Sequence, residues 1–223
     1  MRKLLLFVLG LLFSISVKSQ SFFIRGGENY TKFNFKSDQS SPIDLHSDFG
    51  ISNEVGRTFP IKGNHFYYEL GLQFDEFNSY IVAPTSGVKY NFQFLGINNS
   101  LLATIVGAHS NQPRFKLDFK GGLNLGKGIN GKQEIFGKIY DSSSLPEFTK
   151  FYLVAVLGIQ SRFIVSDYVN LSLGYDYYMS FLNTGDTDHQ SLSFSSNQFK
   201  VGIQFQIENL KLNSNPIILN DLK

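Results

Sequence analysis

One long alternation, over residues 168–181, limits the chain more than any other feature. From Val169 to Phe181 every odd-numbered residue is apolar or aromatic, and the even-numbered residues are small or polar except for Tyr178. Side chains alternate between the two faces of a β-strand, so the segment predicts a strand with one apolar and one polar face. A strand in a soluble protein has about 5–6 residues, whereas one that crosses a membrane in a barrel needs about 9–11. The length favours a membrane-spanning strand.

Similar alternation recurs along the chain and predicts eight strands, least distinctly in the first, fourth and sixth. They are expected near residues 22–35, 47–58, 65–77, 88–105, 115–125, 151–163, 168–181 and 197–207. All six prolines fall outside these ranges, as expected because proline has no N–H for a sheet hydrogen bond. The sequence therefore predicts an all-β fold, a closed antiparallel eight-stranded transmembrane β-barrel with up-and-down topology.

The expected connections alternate in length. Long ones cover residues 36–46, 78–87, 126–150 and 182–196, and short ones cover 59–64, 106–114 and 164–167. Outer-membrane barrels have short periplasmic turns and longer extracellular loops. The pattern therefore predicts an outer-membrane barrel with both ends of the barrel domain on the periplasmic side.

Charged residues on the polar faces predict a filled lumen. An eight-stranded barrel is just wide enough for side chains to fill it, and interleaved opposite charges would pair there rather than line an open pore. The charges expected to point inward are Glu28, Lys32, Glu54, Glu69, Lys89, Lys116, Asp118, Lys120, Arg162, Asp176 and Lys200. Aromatic residues expected in two interfacial girdles are Phe59, Phe66, Phe115 and Tyr168 at one end and Phe35, Phe77, Tyr177 and Phe181 at the other.

The N-terminus has the pattern of a cleaved signal peptide over residues 1–19. Two basic residues precede an apolar stretch, too short for a membrane-spanning helix, and Val17-Lys18-Ser19 offers a cleavage site. Its removal leaves 17 basic residues (20 − 3) against 18 acidic ones, so the formal charge moves from +2 to −1 and nucleic acid is not an expected partner. With no cysteine, the chain has neither a disulfide nor a lipid-modified cysteine. The barrel is expected over residues 20–207 and a periplasmic tail over 208–223.

Residues 22–30 and the last strand together are similar to the small outer-membrane β-barrels of the OmpX/PorT-like superfamily, in the form abundant in Bacteroidota. The resemblance implies that Lys200, Gly202, Phe205 and Ile207 form the signal read by the barrel-assembly machinery. Two features depart from the family pattern: Ile207 stands where an aromatic residue is usual, and the chain continues to Lys223. The resemblance admits roles in adhesion, defence or type IX secretion.

Few residues suggest chemistry. Residues 126–132 match the start of a phosphate-binding loop, but Gln133 follows where serine or threonine is needed, so a flexible loop is expected instead. The four histidines have no metal-ligand spacing. His109 and Ser110 fall in an expected periplasmic turn, whereas Asp186, Asp188 and His189 share an expected extracellular loop and are the candidates for acid–base chemistry. No catalytic residue, cofactor or metal is expected.

Three interpretations remain. The first is a non-enzymatic integral outer-membrane barrel whose long extracellular loops have structural, adhesion or secretion-associated roles. The second is an outer-membrane enzyme that modifies lipid A or peptides at the extracellular rim. The third, a soluble lipocalin-like barrel, is opposed by the charges on the polar faces and the absence of tryptophan. The expected partners are outer-membrane lipids, the barrel-assembly machinery and an extracellular or secretion-system protein.

Overall fold

A computed structural model describes residues 21–37, 46–62, 65–83, 86–108, 114–141, 151–180 and 190–207. The predicted signal peptide and the tail from residue 208 lie outside these ranges. No helix among the described residues is long and apolar enough to cross a membrane.

The described residues form nine strands, of which all but the short β6 build the barrel wall. Their bounds are β1 Ser21–Ser37, β2 His46–Lys62, β3 Phe66–Ala83, β4 Ser86–Val106, β5 Phe115–Ile135, β6 Lys138–Asp141, β7 Phe151–Ile164, β8 Val169–Ser180 and β9 Gln190–Gln206.

Every pair of neighbouring strands is antiparallel, and the wall closes on itself. The strand order is β4-β3-β2-β1-β9-β8-β7-β5, and β4 also pairs with β5. Following cross-strand partners once round the wall from Phe94 leads back to β4 at Thr104, a shift of ten residues (104 − 94). This shift corresponds to a strand tilt of about 40°. The predicted closed, up-and-down, eight-stranded barrel is confirmed.

The barrel is apolar outside and polar inside. On the outer surface Leu157 is 53% exposed and Val201 is 61% exposed, whereas Glu54, Asp118 and Lys120 are buried in the lumen. This polarity suits a barrel surrounded by lipid and is the reverse of a soluble barrel with an apolar cavity. Eight of the eleven charges expected inside are buried there: Glu54, Glu69, Lys116, Asp118, Lys120, Arg162, Asp176 and Lys200.

The prediction was wrong for three charges. Glu28, Lys32 and Lys89 are exposed, and Arg25 is the charged residue of β1 that points inward. In β1 each face carries aromatic as well as charged residues, and the central Gly26-Gly27 has no side chain to mark either face. The alternation therefore could not assign the faces of this strand.

The strands are longer than expected at the end of the barrel where β3 meets β4, called here the upper end. β3 and β4 stay paired as far as Ala83 and Ser86, so residues 84–85 connect them instead of the expected 78–87. Residues 126–135, expected in a loop, belong to β5 and lead through Phe136-Gly137 into β6. Both turn residues have positive φ, 51° and 74°, as a tight hairpin turn requires.

Two smaller expectations also failed. Pro60 lies inside β2, next to a register shift between Pro60 and Lys62, which is a position where a strand tolerates proline. Phe77, expected in the lipid-facing girdle, is completely buried in the lumen. Phe66 and Tyr177 do face outward, as expected of girdle residues.

Candidate functional site

The lower end of the lumen is closed by one ion pair and the groups around it. The Arg162 guanidinium donates to the Asp118 carboxylate at 2.6 and 2.7 Å, and the Thr104 hydroxyl donates to the same carboxylate at 2.6 Å. Arg162 also lies over the Tyr67 ring, 4.5 Å from its centroid, and the Lys116 ammonium donates to the Tyr67 hydroxyl at 3.0 Å. These groups pair one another and leave little room for a ligand.

Arg25 links two carboxylates in the middle of the lumen. It donates to Glu69 through both terminal nitrogens, at 2.8 Å in one of the two bonds, and lies 3.7 Å from Glu54. Gly202 makes room for it, because a Cβ there would come within 2.5 Å of the Arg25 Cγ. Arg25 was not among the charges expected inside, because both faces of β1 carry aromatic and charged residues and no local signal marks the inward one.

A second cationic link lies beside the first. The Lys200 ammonium stands 3.4 Å from Glu54 and 3.6 Å from Asp176, and the Lys120 ammonium donates to Asp176 at 2.9 Å. Opposite charges were expected to pair in the lumen, and Asp176 does pair with Lys120 and Lys200, whereas Lys116 bonds Tyr67 instead. All these charges are nearly inaccessible to solvent.

Amides surround a further buried carboxylate above these ion pairs. Asp75 accepts from Gln73 at 2.8 Å and from Gln198 at 3.3 Å. The Gln73 carbonyl oxygen in turn accepts from the Tyr178 hydroxyl at 2.8 Å and from Asn124 at 3.1 Å. The layer joins polar side chains from four strands, β3, β5, β8 and β9, so it ties the barrel wall together across the lumen.

An apolar cluster, called here the aromatic plug, closes the upper end of the lumen. The Phe77 and Phe194 rings are 5.0 Å apart, as are the Phe94 and Tyr152 rings. The Tyr152 ring packs against Gly126, where a Cβ would come within 2.3 Å of it. The plug consists of Phe33, Phe77, Phe92, Phe94, Tyr152, Val154, Val156, Tyr178 and Phe194.

Polar side chains on the outer surface of β3, β4 and β5 mark where the apolar belt ends. Asn91 donates to Asn78 at 2.8 Å, Asn78 donates to Glu76 at 3.0 Å, and Asn130 donates to Gln93 at 3.2 Å. Such a ladder suits water and headgroups rather than hydrocarbon. The hairpins of β3–β4 and β5–β6 therefore rise beyond the membrane.

The β5–β6 hairpin has an apolar tip. Phe136 is 70% exposed and Ile139 is 71% exposed, and Tyr140 is also exposed. No described strand pairs with the outer edge of β6. A strand with an open edge and exposed apolar side chains is a place where another chain can add.

The four residues of the expected assembly signal fall on or just after β9. Lys200 is a member of the lumen network, Gly202 makes room for Arg25, and Phe205 is partly exposed on the outer surface. Ile207 follows directly after the last residue of β9. Lys200 and Gly202 therefore contribute to packing and ion pairing in the folded barrel. Recognition of the four residues by the assembly machinery stays a prediction.

The residues considered for chemistry do not form a site in the described structure. His109, Ser110, Asp186, Asp188 and His189 lie outside the described residues. Residues 126–132 belong to β5, and no helix follows them to complete a phosphate-binding loop. Within the described ranges no group of three or more histidine, aspartate or glutamate side chains could hold a metal ion.

The closed wall, the apolar belt and the charged lumen define a transmembrane β-barrel of the outer-membrane type. No protein-family model matches the sequence, and no curated protein matches it. Among solved structures, the outer membrane protease OmpT from Escherichia coli is similar over 87% of this chain and 98% of its own, with 6% identity and a TM-score of 0.50. This similarity shows the fold alone.

Two smaller barrels are also similar. Neisserial surface protein A is 14% identical, covers 83% of this chain and 96% of its own, and gives a TM-score of 0.47. Ail, the attachment invasion locus protein of Yersinia pestis, is 13% identical, covers 85% of this chain and 100% of its own, and gives a TM-score of 0.40.

Proposed function

We propose that this protein is a non-enzymatic outer-membrane barrel that presents β-hairpins outside the cell for binding to other proteins. The observation that carries the proposal is the division of the molecule into a filled, self-paired lumen and an upper rim with exposed apolar side chains. At the rim, exposed apolar side chains and the open edge of β6 are available to a partner. A role in adhesion or secretion fits this division.

The filled lumen argues against transport. Buried ion pairs and amides occupy it from the Arg162–Asp118 pair up to Asp75, and the aromatic plug lies above them. An ion entering from either end would have to displace groups that already satisfy one another. We therefore assign the lumen a stabilising role.

The rim argues for a protein partner. Phe136, Ile139 and Tyr140 expose apolar surface on a hairpin that projects past the polar ladder, and the edge of β6 offers backbone donors and acceptors. Exposed apolar groups of this kind mark binding sites. An extended segment of an extracellular protein could pair with this edge and cover the tip.

Ion conductance tests the filled lumen. The protein folded into a planar lipid bilayer should give no steady conductance steps at moderate salt and voltage, because no water-filled path crosses the ion pairs and the plug. A general porin inserted under the same conditions is the positive control. Regular steps of porin size from this protein would show that the lumen opens and would support a transport function instead.

Cysteine labelling on intact cells tests the proposed orientation. The chain has no cysteine of its own, so single variants report one position each. Lys138→Cys, on the exposed β6, should react with an impermeant thiol reagent on intact cells. The matched control Ser166→Cys, exposed in the turn between β7 and β8, should react only after the outer membrane is permeabilised. The opposite result would place the hairpins in the periplasm and end the proposed role.

A further inference from the structure

Glu28 is a carboxylate on the lipid-facing surface of β1. Its cross-strand partners are Ile51 on β2 and Phe199 on β9, both of which expose apolar side chains to the lipid. Tyr30, the next outward-facing residue of β1, packs against Phe49 with 5.5 Å between ring centroids, as expected of an interfacial girdle. Two residues along a strand tilted by about 40° correspond to about 5 Å of depth in the membrane. Glu28 therefore lies on the hydrocarbon side of this girdle.

Asn53 on β2 is a second exposed polar residue at this place. It is the cross-strand partner of Gly26, and its side-chain oxygen stands 3.2 Å from where a Gly26 Cβ would be. Neither Glu28 nor Asn53 has a side-chain hydrogen bond or ion pair with another described residue. An ionisable group in this position is costly unless it finds a partner.

Other outward-facing amides in the belt are satisfied within the chain. Asn99 accepts a hydrogen bond from the Tyr68 hydroxyl at 2.8 Å, and Asn197 accepts one from the Tyr175 hydroxyl at 2.6 Å. In both cases a tyrosine on the neighbouring strand supplies the donor. Glu28 and Asn53 have no such tyrosine bond among the described residues, so both side chains remain available to a group outside this chain.

We propose that the patch formed by Gly26, Glu28 and Asn53, called here the β1–β2 patch, binds a second copy of this chain in the membrane. In this dimer the Glu28 carboxylate of each copy accepts a hydrogen bond from the Asn53 amide of the other. The patch holds an acceptor and a donor side by side, so it is complementary to itself, as a two-fold interface requires. Hydrogen bonds and close packing are the interactions that hold membrane-embedded surfaces together.

The depths of Glu28 and Asn53 in the membrane are compatible with this pairing between two copies. Two copies inserted in the same direction can be related only by a two-fold axis along the membrane normal, so contacting residues must lie at equal depth. With a tilt of about 40°, Ile51 lies about 3 Å above its partner Glu28, and Asn53 lies about 5 Å below Ile51. Glu28 and Asn53 therefore differ in depth by about 2 Å, which the side chains can span.

Gly26 lets the two surfaces approach. It leaves a depression in the wall beside Asn53, between Glu28 above and Ile24 below. Small residues serve the same purpose where membrane helices pack closely. A large side chain at this position would hold the two walls apart.

Energy transfer between labelled copies tests the dimer. Protein labelled at Ser166→Cys with donor or acceptor dye, folded into phosphatidylcholine vesicles, should show transfer that falls on dilution with added lipid. Glu28→Leu and Asn53→Leu should each weaken association about tenfold or more, because each variant loses both reciprocal hydrogen bonds. Ser161→Leu, a change on the lipid-facing side of β7, is the matched control and should leave association unchanged.

Mixing the two variants gives the sharpest test. A pair made of one Glu28→Leu copy and one Asn53→Leu copy keeps one Glu28–Asn53 contact, so the mixture should associate more tightly than either variant alone. Heat-modified gel migration confirms that each variant is folded. A wild-type protein that stays monomeric at high protein-to-lipid ratio would overturn the proposal. Variants that associate like wild type, or a mixture no tighter than its components, would do the same.

Discussion

Replacing Arg25 by methionine is expected to lower the free energy of unfolding by about 3–5 kcal/mol, because removing one partner of a buried ion pair leaves the other charge uncompensated. Without Arg25, no described cation would lie within salt-bridge distance of the Glu69 carboxylate, and Lys200 would be the described cation left beside Glu54. The measurement is a urea titration of protein folded into lipid vesicles, followed by circular dichroism since the chain has no tryptophan.

Lys32→Met is the matched control for this change. It removes a positive charge from the same strand, but from an exposed outward-facing side chain, so it should change stability by no more than about 0.5 kcal/mol. Adding Glu69→Leu to Arg25→Met should recover part of the loss by removing the unpaired carboxylate. Equal effects of Arg25→Met and Lys32→Met would show that the lumen ion pairs do not stabilise the barrel.

The second large effect is expected on the opposite surface of the wall. Leu157 lies at the middle of β7 and is 53% exposed on the lipid-facing side. Leu157→Arg places a charge near the centre of the hydrocarbon and should cost about 2–4 kcal/mol in the same titration.

Ile139→Arg is the control for depth. Ile139 is 71% exposed on β6, in the hairpin that rises above the polar ladder, so the new charge would meet water. The expected change is within about 0.5 kcal/mol. If the two arginine variants were equally stable, the apolar surface around Leu157 would not be in contact with lipid, and the transmembrane assignment would fail.

Much of the barrel could be predicted from local pattern. In β8 the odd-numbered residues Leu171, Leu173 and Tyr177 face outward, and Asp176 and Tyr178 point inward, as the alternation indicated. The pattern was decisive there because the apolar residues gather on one face of the strand. Tyr178 is the one bulky residue among the even-numbered positions of this strand. Its ring belongs to the aromatic plug, and its hydroxyl donates to Gln73 in the polar layer below.

The ends of the strands could not be predicted. Beyond the belt both faces of a strand meet water or headgroups, so the apolar–polar alternation fades while the backbone pairing continues. Residues 126–135 look like a loop because they are rich in glycine and lysine, yet they pair with β4 as far as the Val88–Ile135 partners. The same reason explains the continuation of β3 and β4 to Ala83 and Ser86.

The candidate sites were the least predictable part. Arg25 and Glu28 lie three residues apart on β1, and the alternation assigned Glu28 to the wrong face and left Arg25 out. The β1–β2 patch and the link from Arg25 to Glu54 and Glu69 depend on residues brought together from different strands. No local pattern contains that information.

The sequence by itself determined the class of fold, because strand length and alternation are local properties of the chain. Strands that are apolar on one face and long enough to cross a membrane must pair all their backbone groups, which a closed barrel does. Only the tertiary structure decided which charges pair and which face of β1 meets lipid. Closure with a ten-residue shift between Phe94 and Thr104 sets every cross-strand neighbour at once. Register is a property of the whole ring of strands, and the partners of Arg25 and Glu28 follow from it.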